Sequence, residues 1–392
     1  MTELVINGKF LQRSASRSGV HRVAYELVLA LDAVLARDAA LARAHPCRLL
    51  VPGDWLPDIA FSHIRMHSVG RRSAALKGIP WEQLVLPWQA RGATLLNFCN
   101  LGPVLHRDAF TMIHDAQVHS SPASYSRGFR AWYRLVQPRL GRRNRGILTV
   151  SQYSRAQLDQ YGVADAARSL VVHNGCDHVL RLVPDEDAAR AFGLADGRFV
   201  VALANTQAHK NIGLLLKAFR SGRLGDMTLA LFGAATREDF ERQGHEVPPN
   251  VRFLGRISDE QLAGVLRRAA ALAFPSLTEG FGLPPLEAMA LGCPVVAAPC
   301  GALPEVCAKA ALWADPHDAR AWEAQILRLR DDPALAGSLR ERGARRAALF
   351  TWERAARRLL EIAAAQPSWS AAGRGPSVLG ASRALGKPSA GP

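Results

Sequence analysis

Two doubly wound α/β domains, one in each half of the chain, are what this sequence predicts, and three observations predict them. Short apolar stretches alternate with longer helical patterns from end to end. Most of those stretches are continuous apolar runs rather than alternating ones, as expected of parallel strands covered by helices on both faces. The chain also has 392 residues, too many for one small core and suited to two domains of ordinary size.

In the first half, strands are expected at Leu4–Asn7, Arg48–Val51, Thr94–Phe98, Phe110–His114, Ile147–Ser151 and Leu170–His173. In the second half they fall at Phe199–Ala204, Thr228–Phe232, Val251–Leu254, Leu272–Pro275, Pro294–Ala298 and Ala311–Ala314. Six strands and then six, each set interleaved with helices, give two sheets. The boundary falls between Asn174 and Phe199, which divides residues 1–180 from residues 181–348. Residues 349–365 add a closing helix, Trp352–Ala365, with Ala355, Leu359, Leu360 and Ile362 near one face. From Gln366 onward Pro, Ser, Gly and Ala dominate, so residues 366–392 are expected to be disordered.

Bulk composition narrows the class. With 48% apolar residues the chain folds, and no run of about 18 apolar residues is present to span a membrane. The first residues, Met1 to Gly8, begin directly as a strand without a basic and apolar export signal, so a cytoplasmic location is expected. Six scattered cysteines form no Cys-x2-Cys pair, and buried thiols rather than a zinc site are expected. Asp185-Glu186-Asp187 is the one Asp-x-Asp; at the domain boundary it reads as helix capping, so no metal and no cofactor are expected. A net charge of +15 favours an anionic partner: nucleic acid, acidic lipid or a phosphorylated substrate.

The chemistry concentrates in one run, Pro275 to Ala290, where Glu279 and Glu287 stand eight positions apart. It follows an apolar strand and precedes a helix that Pro284 and Pro285 can begin. A strand, a glycine-bearing turn and a helix N-terminus direct backbone N–H groups at an anion. Glu279 is expected on the turn and Glu287 in the first helical turn, flanking one ligand. A purely structural account, with an early Glu complementing the macrodipole, explains Glu287 but neither Glu279 nor Gly280 and Gly282 together. The run therefore reads as a site for a phosphate-linked, hydroxyl-rich molecule.

The same run resembles the E-x7-E element of retaining glycosyltransferases of family four, which have the GT-B fold of two Rossmann-like domains facing a central cleft. Gly19-Val20-His21-Arg22, Pro80-Trp81-Glu82-Gln83, His114-Asp115, Val150-Ser151-Gln152-Tyr153-Ser154, Asn174-Gly175-Cys176-Asp177, Lys210-Asn211 and Phe350-Thr351-Trp352-Glu353 follow the order and spacing of that family. The resemblance implies that the first domain binds an acceptor, that the second binds a nucleotide-sugar donor, and that the last helix crosses back. It implies that Glu279 contacts the transferred sugar and Glu287 the ribose, while Gly280, Phe281, Gly282 and Leu283 line the phosphates. Lys210 would neutralise the departing diphosphate, and Asn211 and His209, the latter standing where the family commonly has Arg, would bind the donor beside it. Gly19 would pack against the diphosphate or the acceptor, with the basic loop Arg13–Arg17 moving on binding. His114 would lie near the anomeric carbon, and Asp115 would orient it or bind acceptor. Glu279, His114 and Lys210 are the catalytic candidates.

Arg127 to Arg145 is basic with interleaved aromatics. One reading is contact with an anionic inner membrane through Arg127, Arg130, Trp132 and Arg134; the other is a core-facing stripe with a solvated charged face. The function expected from the resemblance is retaining sugar transfer, with GDP-mannose favoured as donor and a saccharide or lipid-linked saccharide as acceptor, in bacterial surface polysaccharide biosynthesis. Two alternatives stand beside it: a sugar-nucleotide epimerase of the same fold, and a basic nucleic-acid-binding protein, for which no recognisable motif is present.

Overall fold

The computed structural model describes residues 3–11, 19–70 and 78–365. The loop 13–17 and the tail 366–392, for which movement and disorder are expected, lie outside the described residues. The first sheet holds β1 (Leu4–Asn7), β2 (Cys47–Val51), β3 (Arg65–Ser68), β4 (Thr94–Asn97), β5 (Ala109–Met112), β6 (Gly146–Thr149) and β7 (Ser169–Val171). Its order is β3-β2-β1-β4-β5-β6-β7. The second sheet holds β8 (Phe199–Leu203), β9 (Thr228–Phe232), β10 (Val251–Gly255), β11 (Ala271–Phe274), β12 (Val295–Ala297) and β13 (Ala311–Trp313), in the order β10-β9-β8-β11-β12-β13. Every strand pairing in both sheets is parallel.

One strand corrects the sequence reading: the first sheet has seven strands, and β3 is the addition. Its residues, Arg65, Met66, His67 and Ser68, carry no apolar run because β3 is an edge with exposed and half-buried positions alternating. Pairing with β2, Leu49 opposite Met66, is what recruits it.

Strand order reverses beside β1 in one sheet and beside β8 in the other, and ligands gather beyond the C-terminal strand ends at such switch points. The helix Trp352–Ala365 lies against the helix Gly19–Arg37 of the first half. Its buried residues, Trp352, Ala355, Ala356, Leu359, Leu360 and Ile362, recur at three- and four-residue intervals and so form one stripe. Arg145 Nη2 donates to the Ala363 carbonyl at 3.2 Å, tying its far end to the first sheet. All six cysteines are free, and burial pushes the thiols of Cys99, Cys176, Cys293 and Cys307 up to about 12.

Candidate functional site

A crevice of about 780 Å³ lies between the two halves and is lined from both, by Gly19, His114 and Asp115 on one side and Lys210, Glu279 and Glu287 on the other. On the second-half side, neighbouring strands deliver the charged pair. β8 runs into a tight turn, Ala208–Lys210, and β11 runs into the segment that carries Glu279. Asn211 ties the two together. Its backbone is left-handed at φ 57°, and its Nδ2 donates to the carbonyls of Pro275 at 3.2 Å and Pro316 at 2.8 Å. Leu277 N–H adds a bond to the His209 carbonyl at 2.8 Å. So clamped, Lys210 Nζ stands 2.7 Å from Glu279 Oε1, with both side chains largely buried.

Past Glu279 the chain turns through Gly282, whose φ of 99° favours glycine, into the helix Leu283–Ala290. Pro284 and Pro285 bring no N–H, so at this helix start the donors for an anion are those of Gly282 and Leu283. Glu287 is the fifth residue of that helix. It therefore lies in the second turn, not the first, because the helix begins with Leu283 rather than with the prolines. Its carboxylate still lines the crevice, with Oε1 3.1 Å from His178 Nε2.

On the first-half side, β5 ends at Met112 and His114 follows in the loop, not within the strand. His114 N–H donates to Asn100 Oδ1 at 2.9 Å, and its Nε2 donates to the Phe98 carbonyl at 2.8 Å, leaving Nδ1 as the ring's acceptor. Burial lowers the pKa of His114 to about 4. A folded-state pKa below the ordinary value gives stability that is present above about pH 6.5 and is lost as the pH falls towards 4. The melting temperature is accordingly expected to drop across that window, with a smaller drop in His114→Asn; equal drops in both would remove His114 as the cause. Asp115 Oδ1 accepts from Gln117 N–H at 2.9 Å, and burial, followed by the Glu279 charge, raises its carboxyl.

Contacts between the halves run through the Val-Ser-Gln-Tyr-Ser segment. Ser151 Oγ donates to the Gly280 carbonyl at 2.6 Å, and Ser154 Oγ lies 2.8 Å from the His114 carbonyl and 3.0 Å from that of Gly280. Glu305 accepts from Gln152 and Tyr153 N–H at the start of the helix Gln152–Gln160, at 3.0 and 3.1 Å. Arg22 and Asp259 pair across the crevice at 2.8 Å.

Residues 185–346 match the family model for glycosyl transferases group 1. An MMP alpha-(1->4)-mannosyltransferase from Mycolicibacterium hassiacum is 30% identical over 293 residues, 70% of this chain and 68% of that protein. The chain belongs to the group 1 glycosyl transferases. O-antigen chain mannosyltransferase B of Escherichia coli is 32% identical over 228 residues, 53% of this chain and 57% of the relative. A D-inositol 3-phosphate glycosyltransferase of Salinispora arenicola is 32% identical over 230 residues, 52% and 51% of the two chains. The chain thus spans little more than half the length of these two relatives. The GT-B fold is shared with a sucrose-phosphate synthase from Thermosynechococcus elongatus, TM-score 0.69 at 21% identity, covering 92% of this chain and 98% of that one. It is shared also with Anabaena Alr3699/HepE in complex with UDP and glucose, TM-score 0.66 at 18% identity, covering 93% and 100%.

In this group 1 glycosyl transferase the crevice gathers His114, Asp115, Gly19, His209, Lys210, Glu279, Gly280, Phe281, Gly282, Leu283 and Glu287. Asn211 lines a neighbouring hollow instead and acts on the backbone. A Cβ at Gly19 meets no atom within 4 Å, so protein packing does not require glycine there. Burial, then the Lys210 charge, lowers the pKa of His209, and its Nε2 has no hydrogen-bond partner. It therefore supplies no standing cation near neutral pH.

Asp185-Glu186-Asp187 lies elsewhere and corrects the capping reading. Asp187 makes no side-chain cap; Asp185 Oδ1 accepts from Asp187 N–H at 3.1 Å, and Glu186 pairs with Arg267 and Arg268. Among the described residues no group of three or more His, Cys, Asp or Glu is placed to hold a metal ion, and no helix is long and apolar enough to cross a membrane.

The basic segment divides between two surfaces. Arg127 and Arg134 are exposed, Arg130 donates to the Pro122 carbonyl at 3.3 Å, and Trp132 turns inward against the core of the first half. The aromatics that reach the crevice are different ones. Tyr125 stacks on Phe129 at 5.4 Å between ring centroids, and Phe129 on Tyr133 at 4.1 Å. Phe129 and Tyr133 are four residues apart on the helix Arg127–Arg143, whereas Tyr125 is extended and precedes its N-cap Ser126, so helical spacing alone does not reveal the ladder.

Proposed function

We propose that this protein is a retaining mannosyltransferase that carries a sugar from GDP-mannose to a saccharide or lipid-linked saccharide acceptor in bacterial surface polysaccharide assembly. The observation that carries the reading is the buried Lys210–Glu279 pair at 2.7 Å, set across the crevice from His114. A sugar diphosphate needs a cation where negative charge grows as the anomeric C–O bond breaks, and a carboxylate that accepts from sugar hydroxyls. Lys210 and Glu279 are suited to those roles, Gly282 and Leu283 N–H to a phosphate oxygen, and the His114 Nδ1 acceptor to a sugar hydroxyl. The acceptor hydroxyl then bonds to the anomeric carbon on the face that the diphosphate leaves, and a phosphate oxygen takes its proton. No protein nucleophile and no metal is required by this scheme.

Residues 181–348 would hold the donor and residues 1–180 the acceptor, with 349–365 as a strap between them. The names of the mannosyltransferase relatives support the sugar, and HepE, solved with UDP-glucose, supports a nucleotide-sugar in this fold. Donor hydrolysis and thermal shift across GDP-, UDP- and dTDP-sugars, with EDTA present, test the reading. Response to GDP-mannose is expected, and indifference to every sugar nucleotide would overturn it.

The Tyr125–Phe129–Tyr133 ladder is suited to stacking on an acceptor sugar, since aromatic faces bind the apolar faces of pyranose rings. Phe129→Ala is expected to raise the acceptor KM about tenfold with donor hydrolysis unchanged, as measured by initial rates. Arg127, Arg130 and Arg134 would place the first half on an anionic cytoplasmic membrane surface, each adding about 1 kcal/mol. Co-sedimentation with anionic but not zwitterionic vesicles is the expected result.

A further inference from the structure

The Asn-Gly-Cys-Asp and Phe-Thr-Trp-Glu segments, to which the mechanism above gives no role, meet each other in the fold. Cys176 N–H donates to the Phe350 carbonyl at 2.9 Å, and Asp177 Oδ1 accepts from Trp352 N–H at 2.8 Å. A Cβ on Gly175 would sit 2.3 Å from Trp352 N, so the two strands of chain touch backbone to backbone. Next to this docking, one residue on from Asp177, His178 stands behind the crevice wall and touches Glu287, which lines it.

His178 is buried, with its side chain 3% exposed. Its Nδ1 accepts from Trp352 Nε1–H at 3.1 Å. An indole N–H can only donate, so Nδ1 carries no proton and the ring's N–H is on Nε2. That N–H faces Glu287, 3.1 Å from Oε1. Distance and direction disagree here: the separation is that of a contact pair, yet Nε2 lacks an aligned hydrogen-bond partner. The distance is the firmer guide to which group it serves, because a buried donor 3.1 Å from a carboxylate needs only a small turn of that carboxylate to be satisfied.

We infer that His178 is a positioning residue for Glu287: Trp352 fixes its tautomer, and its Nε2–H aims the Glu287 carboxylate at the vicinal diol of the donor's ribose. The inference rests on the donor-site reading above. A carboxylate can accept from two neighbouring hydroxyls at once only when its plane is fixed, and an N–H donor on one side supplies that restraint. The returning helix thereby contributes to nucleotide recognition without touching the nucleotide.

The test measures binding of GDP, UDP and their 2′-deoxy forms to the full chain by calorimetry. The preferred ribonucleotide is expected to bind about tenfold tighter than its deoxy form, the worth of one hydrogen bond to a charged group. Glu287→Gln and His178→Asn should each bring that ratio close to one, and the double variant no further. Asn keeps an acceptor for Trp352 but cannot reach Glu287, whereas His178→Gln keeps a donor near the Nε2 position and should restore the preference. Each ratio is internal to one variant, so partial loss of stability does not imitate the effect. Full preference in His178→Asn, with Glu287→Gln having lost it, would overturn the inference and leave the donor site standing. Wild-type protein that binds neither GDP nor UDP would overturn the donor site, and this inference with it.

Discussion

Glu279→Ala is expected to lower transfer by about a hundredfold to a thousandfold, the usual consequence of removing a charged group from a reaction centre, with the fold intact by circular dichroism. Two effects act together. The sugar loses its carboxylate acceptor, and Lys210, largely buried and 2.7 Å from Glu279, loses its partner. A buried ammonium without a counter-charge is destabilised and free to swing away from the diphosphate. Glu279→Gln should fall between, since the amide oxygen still accepts from a hydroxyl while the charge is gone. Transfer assays on both variants decide the matter: full activity in Glu279→Ala would show that Glu279 takes no part in transfer.

Gly280→Val is the second large effect expected, and it acts through space alone. A Cβ at Gly280 would lie 2.7 Å from the His114 carbonyl and 2.9 Å from Asp115 Cβ. The Gly280 carbonyl is also where Ser151 and Ser154 of the first half attach. Valine would therefore hold the two halves apart at the point where His114 and Glu279 face each other. Transfer is expected to fall more than about a hundredfold, because misplacement by about 1 Å is already that costly. Nucleotide affinity, which depends mainly on the second half, should change by less than about tenfold. Activity near that of the wild type would mean that the halves need not close at this point.

The sequence located most of the scaffold because parallel strands covered on both faces must be apolar throughout, and that pattern survives without knowledge of the fold. It failed at β3, where Arg65 and His67 are solvent-facing and only pairing with β2 makes a strand. Expected strands also ran too far: Phe110–His114 ends at Met112, and Ile147–Ser151 ends at Thr149. The overrun is informative, because the residues just past the ladder, His114 and Ser151, are those that leave the sheet to meet the other half. The charged crevice residues were legible as types at fixed spacings. His178 and the Tyr125–Phe129–Tyr133 ladder were not, since what distinguishes them is who stands beside them. Trp352 and Glu287 lie far from His178 in the chain, and no local pattern joins the three.

The chain passes between the halves twice, once near Asn174 and again near Phe350, and the two passages are bonded side by side. A single tether would permit swivelling in every direction, like a ball in a socket. Two adjoining tethers instead define a pin, so any opening would be restricted to swinging about one line. The contact of Gly280 with Ser151, Ser154 and the His114 carbonyl lies away from that line, and is the one such a swing would break and remake in the same place.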